Sequence, residues 1–334
     1  MDPISRYSSR VDGELSRIVS DRGLPLYSMM EHHLGWLPET GFTSPPASRL
    51  LGSLCLASCE SLGGNVESAL PTAAAIELVL NFCEIHDDIQ AGRISRNGRD
   101  TVWWKWGPAQ AINAGDGMHA LARLALLGLG ELGMGPDRVF EAVKLLDRAS
   151  LATCEGRFMD LEAQERLDIS SDSYMKMAEA KAGALYACAM EFGALAAGSE
   201  AGTRESFAAS GREIGVAVQI AEDMKQLSSS LDEQASPSED FMNKKKLYPV
   251  VRAFEVASPT ERRRLGDYYF KRVMEPSDAR SLSEIISRLG VSLAARREIA
   301  SRVNRAVEGV EAVLPPGEKT DGLCELLRKL PGDT

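Results

Sequence analysis

The apolar positions of this chain follow the 3.6-residue period of an α-helix along most of its length. Several segments are apolar nearly all round, which is typical of helices buried in the centre of a large bundle. No alternating run of apolar and polar residues of useful length indicates a β-strand. The pattern predicts an all-α fold: a large helical bundle that forms a single domain over residues 1–334.

Glycine, proline and serine turns divide this pattern into helical segments. Residues 1–46 are expected to form N-terminal helices and a turn, and the buried helix that follows ends at Gly63-Gly64. A second buried helix follows Pro71, and the polar segment 228–238 is expected to be a flexible loop. The remaining helices are predicted over residues 109–133, 137–165, 171–198, 203–228, 239–256, 259–273, 280–289, 292–313 and 319–330.

Charge and cysteine content narrow the class of protein. The formal net charge of −10 argues against nonspecific nucleic-acid binding, because a phosphate backbone repels an acidic protein. The six cysteines lack C-x-x-C metal spacing and suit a reducing compartment. The N-terminus lacks the apolar core of a signal peptide. We also find no run of roughly 18 apolar residues, the length that a helix needs to span a bilayer. We therefore expect a soluble, cytoplasmic protein that binds no nucleic acid and has no transmembrane segment.

Charged residues gather at the end of the second buried helix. Asp87 and Asp88 close that apolar segment, and Arg96 follows a few residues later. Carboxylate oxygens are the ligands that Mg²⁺ prefers, and guanidinium groups bind phosphate oxygens in pairs. This combination predicts a site in which Mg²⁺ holds a diphosphate.

A second acidic group ends another apolar helix. Gln219, Glu222 and Asp223 are spaced so that all of them can face one side of that helix. Two such groups facing each other are suited to hold several metal ions with a diphosphate between them. Lys181 and Lys245 are available, with Arg96, to contact the diphosphate.

The order and spacing of these residues resemble the trans-isoprenyl diphosphate synthases, or polyprenyl synthetases, from about residue 49 to residue 249. In the first half of the chain, the positions that match family motifs are the first DDxxD at 87–91, R-R-G at 96–98, T-V at 101–102 and A-x-x-x-GD at 111–116. In the second half they are the lysine-threonine step at 181–182, the glutamine at 219, the second DDxxD at 222–226, and the late lysine and proline at 245 and 249.

The resemblance implies a role for each matching residue. Asp87, Asp88, Glu222 and Asp223 are expected to bind Mg²⁺ and, with Gln219, to be catalytic. The residues expected to bind the substrate are Arg49, Phe82, Cys83, Arg96, Lys181 and Lys245. An aromatic residue at the position of Phe82 closes the pocket for the prenyl tail in this family, which implies farnesyl or geranylgeranyl diphosphate as substrate. The family also implies a helical bundle of the isoprenoid synthase type with a central apolar cavity, and a homodimer formed through helices near the first motif.

Departures from the family pattern fall mainly on the site for isopentenyl diphosphate. Its Gly-Lys-Arg segment is replaced by Ala47-Ser48-Arg49, and the next arginine by Leu51. The second arginine of R-R-G is Asn97. Each lost charge-assisted contact costs ~1.5–3 kcal/mol, so binding of a second diphosphate is expected to weaken by orders of magnitude.

The acidic motifs are also altered. The last carboxylate of the first motif is replaced by Ala91, and the second motif has Glu222 and Gln226 where aspartates are expected. Glu84 stands at a position that is normally apolar in the family, where it is either an additional carboxylate or base for the reaction or a partly exposed residue at the helix edge.

These features favour a class I terpene synthase, which ionises a C15 or C20 prenyl diphosphate with Mg²⁺ and then cyclises the cation or eliminates a proton. The first alternative is a prenyltransferase, either a short-chain prenyl diphosphate synthase or an enzyme with a non-isoprenoid acceptor. The second alternative is a noncatalytic partner subunit of a prenyl diphosphate synthase.

Overall fold

The computed structural model describes residues 3–20, 22–37, 49–166, 168–231 and 237–333. Its regular structure is almost entirely helical, in agreement with the all-α prediction. The helices are α1 (Pro3–Val19), α2 (Pro25–His33), α3 (Leu50–Ser61), α4 (Leu70–Ala91), α5 (Val102–Trp106), α6 (Pro108–Leu127), α7 (Pro136–Gln164), α8 (Ser171–Ala178), α9 (Ala184–Ala196), α10 (Ala201–Leu231), α11 (Glu239–Met242), α12 (Tyr248–Val256), α13 (Pro259–Phe270), α14 (Pro276–Arg288), α15 (Val291–Glu311) and α16 (Glu318–Asp333). Short 3₁₀ turns occupy Val66–Ala69 and Gly128–Gly130, and a π turn, Glu179–Gly183, joins α8 to α9.

Two compact units can be described separately. The first contains Met1–Ser150, Leu185–Ala208 and Val310–Leu326, and the second contains Leu151–Ala184, Ala209–Gly309 and Leu327–Thr334. In the first unit, α4 packs against α1, α3 and α6. In the second unit, two apolar clusters form the core, one around Phe241 and Leu282 and the other around Tyr174 and Ile220. The prediction of a single domain remains a prediction.

Helix α4 is buried over most of its length and ends in a glycine. Gly92 adopts a left-handed conformation, with φ +64°, and the Arg93 N–H donates to the Asp88 carbonyl at 2.9 Å. A glycine adopts this conformation without steric cost, so the helix ends just after its acidic pair. The first motif therefore lies in the last turns of a buried helix.

The segment Val66–Ala91 is the single helical stretch in the described ranges that is long and apolar enough to cross a bilayer, with a mean hydropathy of 1.3. It passes this test although Glu77 and Glu84 interrupt its apolar run, which corrects the expectation that no segment would qualify. However, 72% of the apolar window is buried inside the protein, as in a core helix.

Some boundaries differ from the prediction. Two-residue strands, β1 (Ser95–Arg96) and β2 (Arg99–Asp100), form an antiparallel hairpin that is too short for alternation to reveal. The helix expected over 239–256 is broken into α11 and α12, because Lys244 is left-handed at φ +59° and Leu247 is extended. Residues 228–231 of the expected flexible loop belong to α10, and residues 232–236 lie outside the described residues. The turn expected at 41–46 also lies outside them.

Candidate active site

Asp88 is the buried member of the first acidic pair. It is 1% exposed, and Arg96 contacts both of its carboxylate oxygens, with Nη2 at 2.7 Å from Oδ1 and Nε at 3.2 Å from Oδ2. Arg93 lies at 3.5 Å from Oδ1. Arg96 also contacts Glu84, at 3.3 Å, so one guanidinium links two carboxylates of α4. The paired, two-point contact offsets the cost of burying Asp88.

The turn between β1 and β2 places Arg96 beside Asp88. Its two central residues, Asn97 and Gly98, have φ of +51° and +74°, which are the positive values of a type I′ turn. Thr101 Oγ1 and Trp103 Nε1 both donate to the Arg93 carbonyl, at 2.8 and 2.7 Å. Asparagine is suited to this left-handed position, so Asn97 has a structural role where the family has an arginine.

Asp87 and the predicted tail-binding residues lie nearby on α4. Asp87 is half-buried and Cys83 is 1% exposed. Phe82 is half-buried and contacts two imidazole rings, with ring centroids 4.7 Å from His86 and 5.0 Å from His119. These contacts hold the Phe82 ring between α4 and α6.

Arg49 is buried in the first unit, at 3% exposure. Its Nε donates to Asp12 at 2.7 Å, its Nη2 donates to the Leu34 carbonyl at 2.7 Å, and its guanidinium lies over the Trp36 ring. Ala47 and Ser48 lie outside the described residues, and Leu51 is buried at 1% exposure. The one arginine retained from the family's acceptor segment is thus held by protein groups.

Asp223 is the buried member of the second acidic pair, in the second unit, at 2% exposure. Its Oδ2 accepts hydrogen bonds from the Tyr174 hydroxyl and the Tyr248 N–H, both at 2.7 Å, and Oδ1 accepts one from Gln219 at 2.8 Å. Burial raises the pKa of Asp223 to about 6, against the effect of these hydrogen bonds. The neighbouring Glu222 is exposed.

Lys181 lies in the π turn, against which α7 and α10 pack at very short distance. A Cβ added to Gly156 of α7 would lie 2.4 Å from the Lys181 backbone nitrogen, and one added to Gly215 of α10 would lie 2.8 Å from the Gly183 Cα. Only glycine fits at such crossings. Thr153 Oγ1 donates to the Lys181 carbonyl at 3.4 Å. The glycines therefore fix the position of the π turn relative to α7 and α10.

Asp160 links the two predicted lysines. Its Oδ2 lies 2.7 Å from Lys181 Nζ and 3.9 Å from Lys245 Nζ, while Lys245 also pairs with Asp240 at 2.8 Å. Burial by itself would raise the pKa of Asp160, but the two lysines outweigh it and lower that pKa. Burial likewise opposes the charge of Lys181, yet Asp160 raises the lysine pKa. The structure brings Lys181 and Lys245 together around a shared carboxylate.

Gln226, which replaces the last aspartate of the second motif, has a structural contact. Its Nε2 donates to Asp240 at 3.1 Å, and its Oε1 accepts from the Ser238 hydroxyl at 2.7 Å. Through Asp240, Gln226 supports the position of Lys245.

The sequence prediction missed Asp160, Asp240 and Tyr174. A signal for Asp160 exists, because Thr153, Gly156 and Asp160 recur at helical spacing and all three are buried. A carboxylate on the buried face of a helix is costly unless it is paired, so it marks a site. No corresponding local pattern indicates Tyr174 or Asp240.

Comparison with known proteins agrees with these features. The polyprenyl synthetase profile matches residues 40–286. The geranylgeranyl diphosphate synthase of Mycobacterium tuberculosis is 30% identical over 315 residues, which cover 93% of this chain and 88% of that protein. The (2E,6E)-farnesyl diphosphate synthase of Mycobacterium bovis is 34% identical over 239 residues, covering 70% and 65%. The polyprenyl synthetase structure from Streptomyces coelicolor A3(2) superposes with a TM-score of 0.85 at 28% identity, covering 98% of both chains.

The fold is the all-α isoprenoid synthase fold, and the chain is an enzyme of the class that uses prenyl diphosphates. It belongs to the polyprenyl synthetase family.

Proposed function

We propose that this protein is a Mg²⁺-dependent prenyltransferase that acts on an allylic prenyl diphosphate. The observation that carries the proposal is the cluster of Lys181, Asp160 and Lys245, in which two largely buried ammonium groups share one carboxylate. Buried cations beside a metal-binding carboxylate group suit a diphosphate. The matched relatives are named geranylgeranyl and farnesyl diphosphate synthases, which favours prenyl transfer over cyclisation.

The donor atoms fit Mg²⁺ bound together with a substrate. Across the described ranges, no group of three or more His, Cys, Asp or Glu side chains has the arrangement to hold a metal ion by itself. Mg²⁺ commonly takes one or two carboxylates and completes its shell with phosphate oxygens and water. We assign Asp87 and Asp88 to one metal-binding group, and Glu222 and Asp223 to the other.

Each residue then has a distinct task. The bound metal would neutralise charge on the departing diphosphate. Lys181 and Lys245 would bind the diphosphate oxygens and stabilise the same developing charge. Arg96 is assigned the same role beside Asp87 and Asp88. Gln219 and Tyr174 hold the Asp223 carboxylate in place. Phe82 and Cys83 are assigned to the end of the tail pocket, as the family resemblance implies for a C15 or C20 prenyl group.

Cyclisation or elimination is the second candidate, because three basic residues expected at the acceptor site are replaced by Ser48, Leu51 and Asn97. Arg49 is held by Asp12 and the Leu34 carbonyl, and Asn97 occupies the position of the second arginine. Without a second diphosphate, the cation reacts within its own chain or with water. A noncatalytic partner subunit is the remaining candidate, and its expected property is the absence of turnover.

We also propose a soluble, cytoplasmic homodimer. Apolar side chains are exposed on α6 and the start of α7: Leu124 is 57%, Leu127 55% and Phe140 69% exposed. Exposed apolar groups of this kind mark contact surfaces between proteins.

The test is incubation of the full chain with Mg²⁺ and geranyl, farnesyl or geranylgeranyl diphosphate, with and without isopentenyl diphosphate, followed by mass analysis. A longer prenyl diphosphate formed only with isopentenyl diphosphate supports the proposal. A hydrocarbon or alcohol formed without it establishes the second candidate instead. If neither appears and a panel of neutral acceptors also gives no product, the partner-subunit candidate replaces both.

A further inference from the structure

Lys246 carries a buried ammonium group that has no acidic partner in the described part of the chain. It is 4% exposed, and its Nζ donates to the Gln164 carbonyl at 2.9 Å and reaches the Lys244 carbonyl at 3.4 Å. The ammonium also lies 4.5 Å from the centre of the Tyr269 ring. By contrast, the adjacent Lys245 is paired with two aspartates. An ammonium has three N–H donors, and two carbonyls leave one of them for another acceptor.

The same lysine lines a cavity in the second unit. The cavity has a volume of about 190 Å³, and the end of α7, the start of α8 and Lys246 form its walls. Met159, Ile169 and Met177 supply apolar surface. Lys176 and Arg166 add two further cations, of which Arg166 pairs with Asp168 at 3.0 Å. Of the two acidic residues in the lining, Asp160 already pairs with Lys181, and Glu162 is exposed to solvent.

We propose that this cavity, the Lys246 pocket, binds a small organic anion that carries one carboxylate or phosphate group on a short apolar body. The anionic group accepts the remaining N–H of Lys246, and the apolar body contacts the methionine and isoleucine side chains. The volume is below the range of about 300–1,000 Å³ typical of pockets for drug-sized ligands, so a complete prenyl diphosphate is too large.

Electrostatics supports an anionic occupant. Burial lowers the pKa of Lys246 to about 8, and the neighbouring Lys244 acts in the same direction. An uncompensated charge in a low-dielectric environment is costly, and a bound anion removes most of that cost. Asp160 and Tyr174, which contact Lys181 and Asp223, also line the cavity. Neither of them supplies the anion contact, so binding at Lys246 can be tested separately from the proposed reaction.

The test uses calorimetric titration of the full chain with benzoate, phenyl phosphate and the neutral benzyl alcohol. At least one anion is expected to bind and benzyl alcohol to bind much more weakly, and the tighter anion identifies the preferred head group. Lys246→Met should weaken anion binding by about 10–100-fold, the worth of one charge-assisted hydrogen bond. Lys144→Met, a change at an exposed lysine of α7, should leave the affinity unchanged.

Three results would overturn the proposal: no anion binds the natural protein, Lys246→Met binds it with unchanged affinity, or Mg²⁺ with inorganic diphosphate displaces it. The last result would place the probe in the diphosphate site. Thermal unfolding verifies that each variant is folded, and Lys246→Gln replaces Lys246→Met in the same titration if the methionine variant is not.

Discussion

In each acidic pair, one carboxylate is buried and the other is more accessible to solvent. Asp88 and Asp223 are 1% and 2% exposed, and protein donors occupy their oxygens, whereas Asp87 and Glu222 are more accessible. A carboxylate in contact with several donors is fixed in orientation but is a weaker ligand for a metal. We therefore expect the first member of each pair to contribute more to metal binding.

Replacing these first members should abolish turnover without unfolding the protein. Asp87→Ala and Glu222→Ala are each expected to lower the rate of diphosphate release by about 100-fold or more, because each removes a metal ligand. The measurement is diphosphate release across a range of Mg²⁺ concentrations. Glu308→Ala, at an exposed site on α15, is the control and should retain full activity. Normal turnover by Asp87→Ala would refute the metal assignment.

Glu77 gives a prediction about stability and pH. It is 2% exposed and accepts a hydrogen bond from the Gly52 N–H at 2.8 Å. Burial raises the pKa of Glu77 from 4.5 to about 7, against the attraction of Arg49. The folded state binds this proton more tightly than the unfolded state, so the stabilisation is present below pH 4.5 and is lost as the pH rises to 7.

Glu77→Gln should therefore gain stability relative to the natural protein as the pH rises. The gain is expected to reach about 3 kcal/mol at pH 8 and to be small at pH 4.5, since one pKa unit corresponds to about 1.4 kcal/mol. Urea unfolding at both pH values measures it, with Glu308→Gln as the exposed control. A difference that is the same at both pH values would contradict the burial of an ionised Glu77.

At the scale of elements, the backbones pack very closely where α7 crosses the π turn. Gly156→Ala should destabilise the protein by about 2–4 kcal/mol, because its Cβ would lie 2.4 Å from the Lys181 nitrogen and the backbone must move. Gly202→Ala, at a helical glycine with nothing within 4 Å of the added Cβ, should instead stabilise it by about 0.5–1 kcal/mol. Thermal and urea unfolding compare the two variants, and equal effects would argue against the tight crossing.

Periodicity predicted most helices, including the two that carry the acidic motifs, because apolar spacing and glycine stops are local features of the sequence. It could not predict the π turn, since one additional residue in a helix leaves no trace in composition. Nor could it predict that Asp160 contacts Lys181, because packing brings together residues 21 positions apart. The motifs identified both members of each acidic pair. They could not show that Arg96 of the hairpin would contact Asp88, or that Tyr174 would contact Asp223, while Asp87 and Glu222 stay more accessible.

At the scale of the whole molecule, the exposed apolar surface predicts assembly. Phe140→Arg should convert the expected dimer to a monomer, because a charge at the contact is costly to bury. Light scattering coupled to size-exclusion chromatography measures the mass. Phe270→Arg is the matched control, because Phe270 is also strongly exposed, at 75%, but lies in the second unit and not on the proposed contact surface. A monomeric natural protein, or an unchanged dimer in Phe140→Arg, would exclude this surface as the interface.

The π turn also determines where the Lys181 side chain lies. A π turn is equivalent to one residue inserted into a regular α-helix, so α8 and α9 would become continuous if one residue of Glu179–Gly183 were deleted. Such a deletion would restore regular hydrogen bonding while rotating Lys181 away from Asp160. A regular helix with better hydrogen bonding would thus lose the contact of Lys181 with Asp160, so the irregular turn is what gives this lysine its position.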